Sequence, residues 1–241
     1  MSSTEAKTRN SVPGGPRVEL RASPAVYGNT PRPVPEPQRI FLLSPANFAG
    51  IRGRLIMSCQ GKLELANRLR GDGVPLGEVF SFISGLYFRG KVAYARAFAA
   101  APSGVPGAFV ITACGGLVPP DTVVTLEQLR EISAGCVDCE DLRYRHALDR
   151  DALALSKAAG TDCQIVLLGS IATPKYTKPL LEIFGERLFF PIEFVGRGDM
   201  SRGGLMLRRV SAGVQFNYVP VVKAQRHGPK PPKLNPLDRV S

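Results

Sequence analysis

Arg39-Ile40-Phe41-Leu42-Leu43-Ser44, closed at once by Pro45, is a short apolar run without polar alternation. A strand that keeps one face in water alternates polar and apolar residues, whereas a continuous run is buried on both faces. Two further runs have the same character, Ala108-Phe109-Val110-Ile111-Thr112-Ala113 and Gln164-Ile165-Val166-Leu167-Leu168-Gly169. Helical spacing fills the stretches between them. Three fully apolar strands separated by helices predict an α/β fold: one three-layer domain with a mainly parallel sheet covered on both faces.

The helices expected are 63–69; 76–100, broken near Gly85 and Gly90; 125–132, opened by Thr125 with Glu127 and Gln128 in its first turn; 149–159, closed by Gly160; and 175–184, ended by Gly185. Shorter strands are expected at 188–190, 205–210 and 214–222, the last two as a hairpin across Ala212-Gly213. Residues 39–222 thus form the domain. Residues 1–38 carry Pro13, Pro16, Pro24, Pro31, Pro33, Pro35 and Pro37 with little to bury, and read as a disordered Pro/Arg-rich arm. Residues 223–241 read as a basic, Pro-rich tail, with Lys223, Arg226, Lys230, Lys233 and Arg239 against Asp238.

The chain has 241 residues, 44% of them hydrophobic and 21% charged, the balance of a soluble globular protein. No run approaches the roughly 20 apolar residues that cross a bilayer, so no membrane partner is expected. The first residues lack the apolar core of a secretory signal, and five cysteines, an odd number, do not suggest a disulfide framework. A cytoplasmic monomer is the resulting expectation. Thirty-one Lys and Arg against 20 Asp and Glu leave a formal charge of +11, which favours a polyanionic partner, DNA before RNA.

Ligands of a parallel α/β sheet bind beyond the carboxyl ends of the strands. That rule selects Ser44-Pro45-Ala46-Asn47, then Cys114-Gly115-Gly116 with Pro119 to Asp121, then Gly169-Ser170-Ile171-Ala172 with Lys175 and Tyr176. A fourth segment, 194–204 (FVGRGDMSRGG), reads as a loop whose glycines admit an anion and whose Arg197 and Arg202 grip phosphate beside Ser201. It matches neither a Walker loop nor the GxGxxG fingerprint. In 85–96 (GLYFRGKVAYAR) aromatic and basic residues interleave, and helical spacing brings Tyr87, Lys91 and Tyr94 together. Such a stretch serves base stacking, or is a core helix with solvated cations. Cys136 and Cys139 have the spacing of half a zinc site, but no second pair completes it, so no metal is expected. With only His146 and His227 present, acid–base work falls to Asp121, Asp199 or Glu193, with Asn47 as a polar anchor.

Leu43-Ser44-Pro45-Ala46 resembles the opening "ISPAK" motif of the bacterial peroxide-stress YaaA family. Phe88-Arg89-Gly90-Lys91-Val92-Ala93-Tyr94-Ala95, then a strand, then Gly115-Gly116-Leu117-Val118-Pro119-Pro120-Asp121, is similar to the "lfrkaxxyA" helix and "GLLxPD" loop of YaaA-like domains. The likeness covers about 39–135. It departs at Asn47, which stands where the family has lysine, and lacks the PYxxxL element after the PD loop. The resemblance implies an α/β DNA-binding protein whose core is like that of uracil-DNA glycosylases. It implies that the 44–47 loop positions water, with Asn47 as the orienting amide, and that Gly169-Ser170 or the 197–204 segment clamps an extruded nucleotide.

The resulting expectation is a DNA-binding protein that hydrolyses the N-glycosidic bond of a modified base without metal or organic cofactor. Asn47, Asp121 and Asp199 are its catalytic candidates. Ser44, Tyr87, Gly115, Gly169, Ser170, Lys175, Tyr176, Arg197, Ser201 and Arg202 are its substrate-binding candidates, with Tyr87 or Tyr176 stacking and Lys175, Arg197 and Arg202 on phosphate. Two alternatives stand beside it: a non-catalytic, stress-linked DNA-binding protein, and an enzyme or sensor for a free nucleotide or nucleoside.

Overall fold

The computed structural model describes residues 36–58, 63–232 and 234. The expected arm therefore lies outside the described residues up to residue 35, as do Lys233 and 235–241 of the tail. The structure is a mixed α/β fold with a mostly parallel sheet, as the three apolar runs predict. β1 (Arg39–Leu43), β3 (Ala108–Ile111), β6 (Gln164–Leu168) and β7 (Leu188–Pro191) run parallel. The short β4 (Leu117–Val118) and β8 (Tyr218–Pro220) close the two edges antiparallel, giving the order β4-β3-β1-β6-β7-β8. A separate two-stranded ribbon joins β2 (Val74–Pro75) to β5 (Val123–Val124).

β1 can sit inside the sheet because its side chains are apolar, Arg39 excepted. Its five residues are all buried, with Arg39 paired to Gln164 and Leu43 to Leu168 on one side and Phe41 to Ala108 on the other. Arg39 survives at this position because its guanidinium bonds Gln164 and Gln215 and stacks on the Tyr218 ring. Burying a cation is tolerable only with such partners.

Among the described residues eight α-helices flank the strands: α1 (Ile51–Met57), α2 (Glu64–Arg70), α3 (Leu76–Ser84), α4 (Leu86–Phe98), α5 (Leu126–Ser133), α6 (Leu142–Ala159), α7 (Pro174–Phe184) and α8 (Asp199–Ala212). α4 packs along α8, and α6 along α7. The chain moves from β1 to β3 in one direction and from β6 to β7 in the other. Right-handed crossovers then put α4 and α7 on opposite faces of the sheet, and three layers result. Among the described residues no helix is long and apolar enough to cross a membrane.

Three sequence expectations change. The helix expected over 76–100 breaks at Gly85, whose φ of 61° no branched residue accepts readily, but runs unbroken through Gly90. α6 is capped by Asp141, well before the expected start at Asp149, with the Asp141 carboxylate accepting from the Arg143 N–H at 2.9 Å. The charges at Arg143, Arg145 and His146 obscure an inward stripe of Tyr144, Ala147, Leu148 and Ala152. Residues 205–210 are helix, not strand. α8 buries Gly203 and Met206, spaced by three, and Gly213 caps its end with φ 64°, so the expected hairpin over 212–213 does not form and only Tyr218–Pro220 is strand.

The cap expected at Thr125 is present. Its hydroxyl accepts from the Gln128 N–H, and the Gln128 side chain accepts from the Thr125 N–H at 2.9 Å. Thr125→Ala is expected to lower stability by about 1 kcal/mol, a fall in the thermal midpoint of about 2–4 °C in calorimetry.

Candidate functional site

The chain leaves β1 toward β3 and leaves β6 toward β7, so the connections diverge between the carboxyl ends of β1 and β6. That divergence opens a crevice where α/β sheets bind ligands. Ser44 follows β1 there and Gly169 follows β6, tied by the Ser44 N–H donating to the Leu168 carbonyl at 3.2 Å. A Cβ at Gly169 would stand 3.0 Å from Ser44 Cβ and 3.2 Å from its Oγ. Ser44 is itself buried, and glycine at 169 is what keeps a side chain from crowding its hydroxyl.

From the side of α4 comes a residue outside the expected set, Lys91. Its Nζ donates to the Ser44 carbonyl at 2.8 Å and lies 2.7 Å from Ser44 Oγ. It sits 3.8 Å above the centre of the Tyr87 ring, one helical turn earlier, and 5.4 Å from that of Phe88. Lys91 is 1% exposed, and among the described residues no carboxylate forms an ion pair with it. Burial therefore pulls its pKa down to about 7; Asp199 opposes that shift, while Arg202 and Lys175 add to it. The Tyr87 hydroxyl is also buried and makes no hydrogen bond of good geometry among the described residues, although Arg202 and Ser44 stand near it, and burial raises its pKa. The segments around Ser44 and around Lys91 thus meet in space.

The helix contact that brings Lys91 inward rests on glycine. A Cβ at Gly90 would meet the Gly203 carbonyl at 2.8 Å, and one at Gly203 would meet the Leu86 carbonyl at 2.7 Å. α4 and α8 approach backbone to backbone at this point, and the next residue of α4 points to the strand ends.

Beside this pair, a cavity of about 440 Å³ opens at the same strand ends. Pro45 and Ala46 line it from β1, Thr112 from β3 and Tyr176 from α7; Phe48 and Phe80, 5.3 Å apart edge to face, form an aromatic wall. Asn47 and Lys175 supply polar groups, Lys175 Nζ lying 4.9 Å from the Tyr176 ring centre, and no lining residue is a carboxylate. The volume and the mixture of apolar wall with a few polar groups are those of a small-molecule site.

The structure brings Ser44, Tyr87, Gly169, Ser170, Lys175, Tyr176 and Asn47 to this end of the sheet, sets Asp199 and Arg202 close enough to Lys91 to act on its charge, and keeps Asp121, Arg197 and Ser201 out of the cavity lining. Asn47 is exposed, and its Oδ1 accepts from the Ala49 N–H at 2.9 Å, which caps a turn. Ser170 Oγ likewise accepts from the Ala172 N–H at 3.3 Å. Gly115 shapes the β3–β4 turn, where a Cβ would stand 2.9 Å from Thr112 Oγ1. Asp121 is paired with Arg96 on the surface, its side chain 70% exposed, and does not line the cavity. Asp199 opens α8, also 70% exposed, 3.9 Å from Arg202. The three catalytic candidates are therefore not assembled around one point.

The 197–204 segment is not a phosphate-gripping loop but the lead-in and first turns of α8. Arg202 donates twice to the Phe194 carbonyl, at 3.1 and 3.2 Å. Arg197 donates to the Glu193 carbonyl, to Ser201 Oγ and to the Pro232 carbonyl. These bonds fold the segment and tie Pro232 of the tail to it. Tyr94, expected beside Lys91, turns instead into the core, its hydroxyl 2.5 Å from that of Tyr218 and its ring 4.7 Å from Phe216.

The sequence signal that points Lys91 inward is its place on an i, i+3, i+4 stripe with Tyr87, Gly90, Tyr94 and Ala95.

The fold and the site define an α/β protein with a ligand-sized cavity and a buried lysine–serine contact at the strand ends. No family model, curated protein or solved structure matches the chain.

Proposed function

We propose that the strand-end cavity binds a nucleotide, its base against Phe48, Phe80 and Tyr176 and its phosphate against Lys175. The observation that carries this reading is the cavity's composition: aromatic walls, one flanking lysine and no carboxylate to repel an anion. Aromatic faces stack bases with little regard to sequence, and the formal charge of +11 draws polyanions toward the chain. The nucleotide is either free or extruded from DNA, two sources of one chemistry. Recognition is what this cavity is equipped for; Asp121 and Asp199, the carboxylates that N-glycosidic hydrolysis would recruit, stand outside its lining.

Calorimetric titration of the full chain with nucleoside monophosphates, the matching nucleosides, and plain or base-modified duplex tests the reading. Lys175→Glu is expected to weaken monophosphate binding about tenfold or more, equivalent to at least about 1.4 kcal/mol, and nucleoside binding much less. Ala46→Trp, which fills the cavity, removes both. DNA as the source gives tighter binding to the duplex, with log affinity falling steeply against log salt; a free nucleotide as the source gives the reverse preference. Absence of binding in every arm, or equal binding by a folded Ala46→Trp variant, overturns the reading.

A further inference from the structure

We propose that Ser44 and Lys91 form a nucleophile–base pair that hydrolyses a carboxylic ester presented at the crevice between β1 and β6. The inference stands apart from nucleotide recognition, since it uses the hydrogen bonds beneath the crevice and not the cavity's aromatic wall.

The hydrogen bonds around Lys91 fit a neutral amine. Such a group has two N–H donors and one lone pair. Lys91 Nζ donates to the Ser44 carbonyl at 2.8 Å and stands 2.7 Å from Ser44 Oγ, to which an ammonium donates and from which the lone pair of a neutral amine would accept the hydroxyl proton. The other acceptor open to that proton, the Leu168 carbonyl, lies at 3.4 Å, at the edge of hydrogen-bonding range. A charged Lys91 would be an ammonium buried without a carboxylate, a costly arrangement. The titratable and charged groups facing it are Tyr87 on its own helix, Asp199 and Arg202 on α8, and Lys175 on α7, two of them cations that further disfavour the ammonium. Lysines placed this way act as general bases, and serine–lysine pairs are an established variant of the serine nucleophile.

The second, independent observation is the Tyr87 hydroxyl. It is buried, makes no hydrogen bond of good geometry among the described residues, and has Arg202 and Ser44 near enough to donate to it. An unused donor beside a nucleophile is placed to stabilise an oxyanion. Ser44 itself is only 6% exposed, and the glycine at 169 keeps a further side chain off its Oγ.

The reaction balances with water as the only co-reactant. Ser44 Oγ attacks the ester carbonyl carbon while its proton passes to Lys91 Nζ, and the carbonyl electron pair moves to the oxygen facing Tyr87. Collapse breaks the ester C–O bond, and the departing alcohol takes the proton from Lys91. Water then attacks the acyl-Ser44 carbonyl, giving a proton to Lys91. Collapse expels Ser44 Oγ, which recovers that proton, and the acid is released.

The test is p-nitrophenyl acetate hydrolysis by the full chain, with rapid quenching and intact and peptide mass analysis. A single acetyl group is expected on Ser44, with kcat/KM rising to a plateau above an apparent pKa near 7. Folded Ser44→Ala is expected to lose the adduct and about 10²–10⁴-fold in rate. Lys91→Met loses the same pH dependence. Gly169→Ala, whose methyl would crowd Ser44 Oγ, slows acetylation without altering either reacting group, and so serves if Lys91→Met does not fold. Acetylation confined to surface lysines, or a Ser44→Ala rate equal to wild type, overturns the proposal. Nucleotide affinity is measured on the same Ser44→Ala sample, so this pair and the nucleotide reading can fail separately.

Discussion

Wild-type stability is expected to climb as pH rises from about 7 toward 10.5, and Lys91→Met to lose that climb. The sign follows from proton counting. Lys91 has its ordinary value of 10.5 when the chain is unfolded and about 7 when folded. Between those limits the unfolded chain holds the proton and the fold does not, so the slope of unfolding free energy against pH is positive. It is at most about 1.4 kcal/mol per pH unit. Above 10.5 the cost of burying the charge is absent; below about 7 it is fully present and stability no longer changes through this residue. Methionine has a similar stem and no titration, but leaves the Ser44 carbonyl without its donor, a loss of about 1–3 kcal/mol. Urea unfolding of both proteins, buffered at intervals from about pH 6.5 to about pH 10, should show the wild type ahead at the alkaline end and the gap closing toward neutrality. Parallel curves would mean that Lys91 stays charged in the fold. Groups away from Lys91 that titrate in this window contribute equally to both proteins and cancel in the comparison.

The second large effect separates two adjacent glycines of α8. At Gly203 a Cβ would meet the Leu86 carbonyl oxygen at 2.7 Å and Tyr87 Cα at 2.8 Å, all backbone that cannot turn aside. Gly203→Leu must push α8 off α4, and is expected to cost about 3 kcal/mol or more, the upper range of overpacking. For a chain of this size that is a fall of about 6–12 °C in thermal midpoint. At Gly204 the nearest atom is Leu234 Cδ1 at 3.6 Å, an ordinary contact. Gly204→Ala is therefore expected to stabilise the helix, by up to about 1 kcal/mol from the change in propensity. Calorimetry on the two variants should give opposite signs. A common sign would show that propensity, or packing, governs both positions alike.

Those glycines also mark where sequence reading succeeds and where it stops. The runs at 39–44, 108–113 and 164–169 identify the parallel sheet because short hydrophobic runs without alternation suit strands covered on both faces. The Thr125 cap is equally local, a hydroxyl and an amide three residues apart. The 194–204 segment is different. Glycine in a loop and glycine in a close helix crossing are the same letter, and only the partner glycine, Gly90, more than a hundred residues earlier, distinguishes them. Leu205, Met206 and Leu207 then look like a strand because three adjacent apolar residues fit either period. The arginines mislead for a related reason: Arg197 and Arg202 satisfy backbone carbonyls that sequence cannot place. Of the candidate site, Ser44, Gly169, Lys175 and Tyr176 follow from the rule that ligands gather at strand ends. Asp121 and Asp199 are selected by residue type, and residue type does not report distance. Lys91 escapes such a reading because a cation on an amphipathic helix is ordinarily solvated, and here the apolar stripe encloses it.

The place of β1 has a consequence for how the chain is made. Among the described strands, the earliest in the chain is the one at the middle of the sheet, and its longest-range neighbour, β6, lies 125 residues further along. At about 5–20 residues per second, the ribosome takes roughly 6–25 seconds to supply that neighbour. During this interval Ile40 to Leu43 lack one of their two hydrogen-bonding neighbours and a wall of apolar contacts, a state that favours association with other unfolded chains or capture by chaperones.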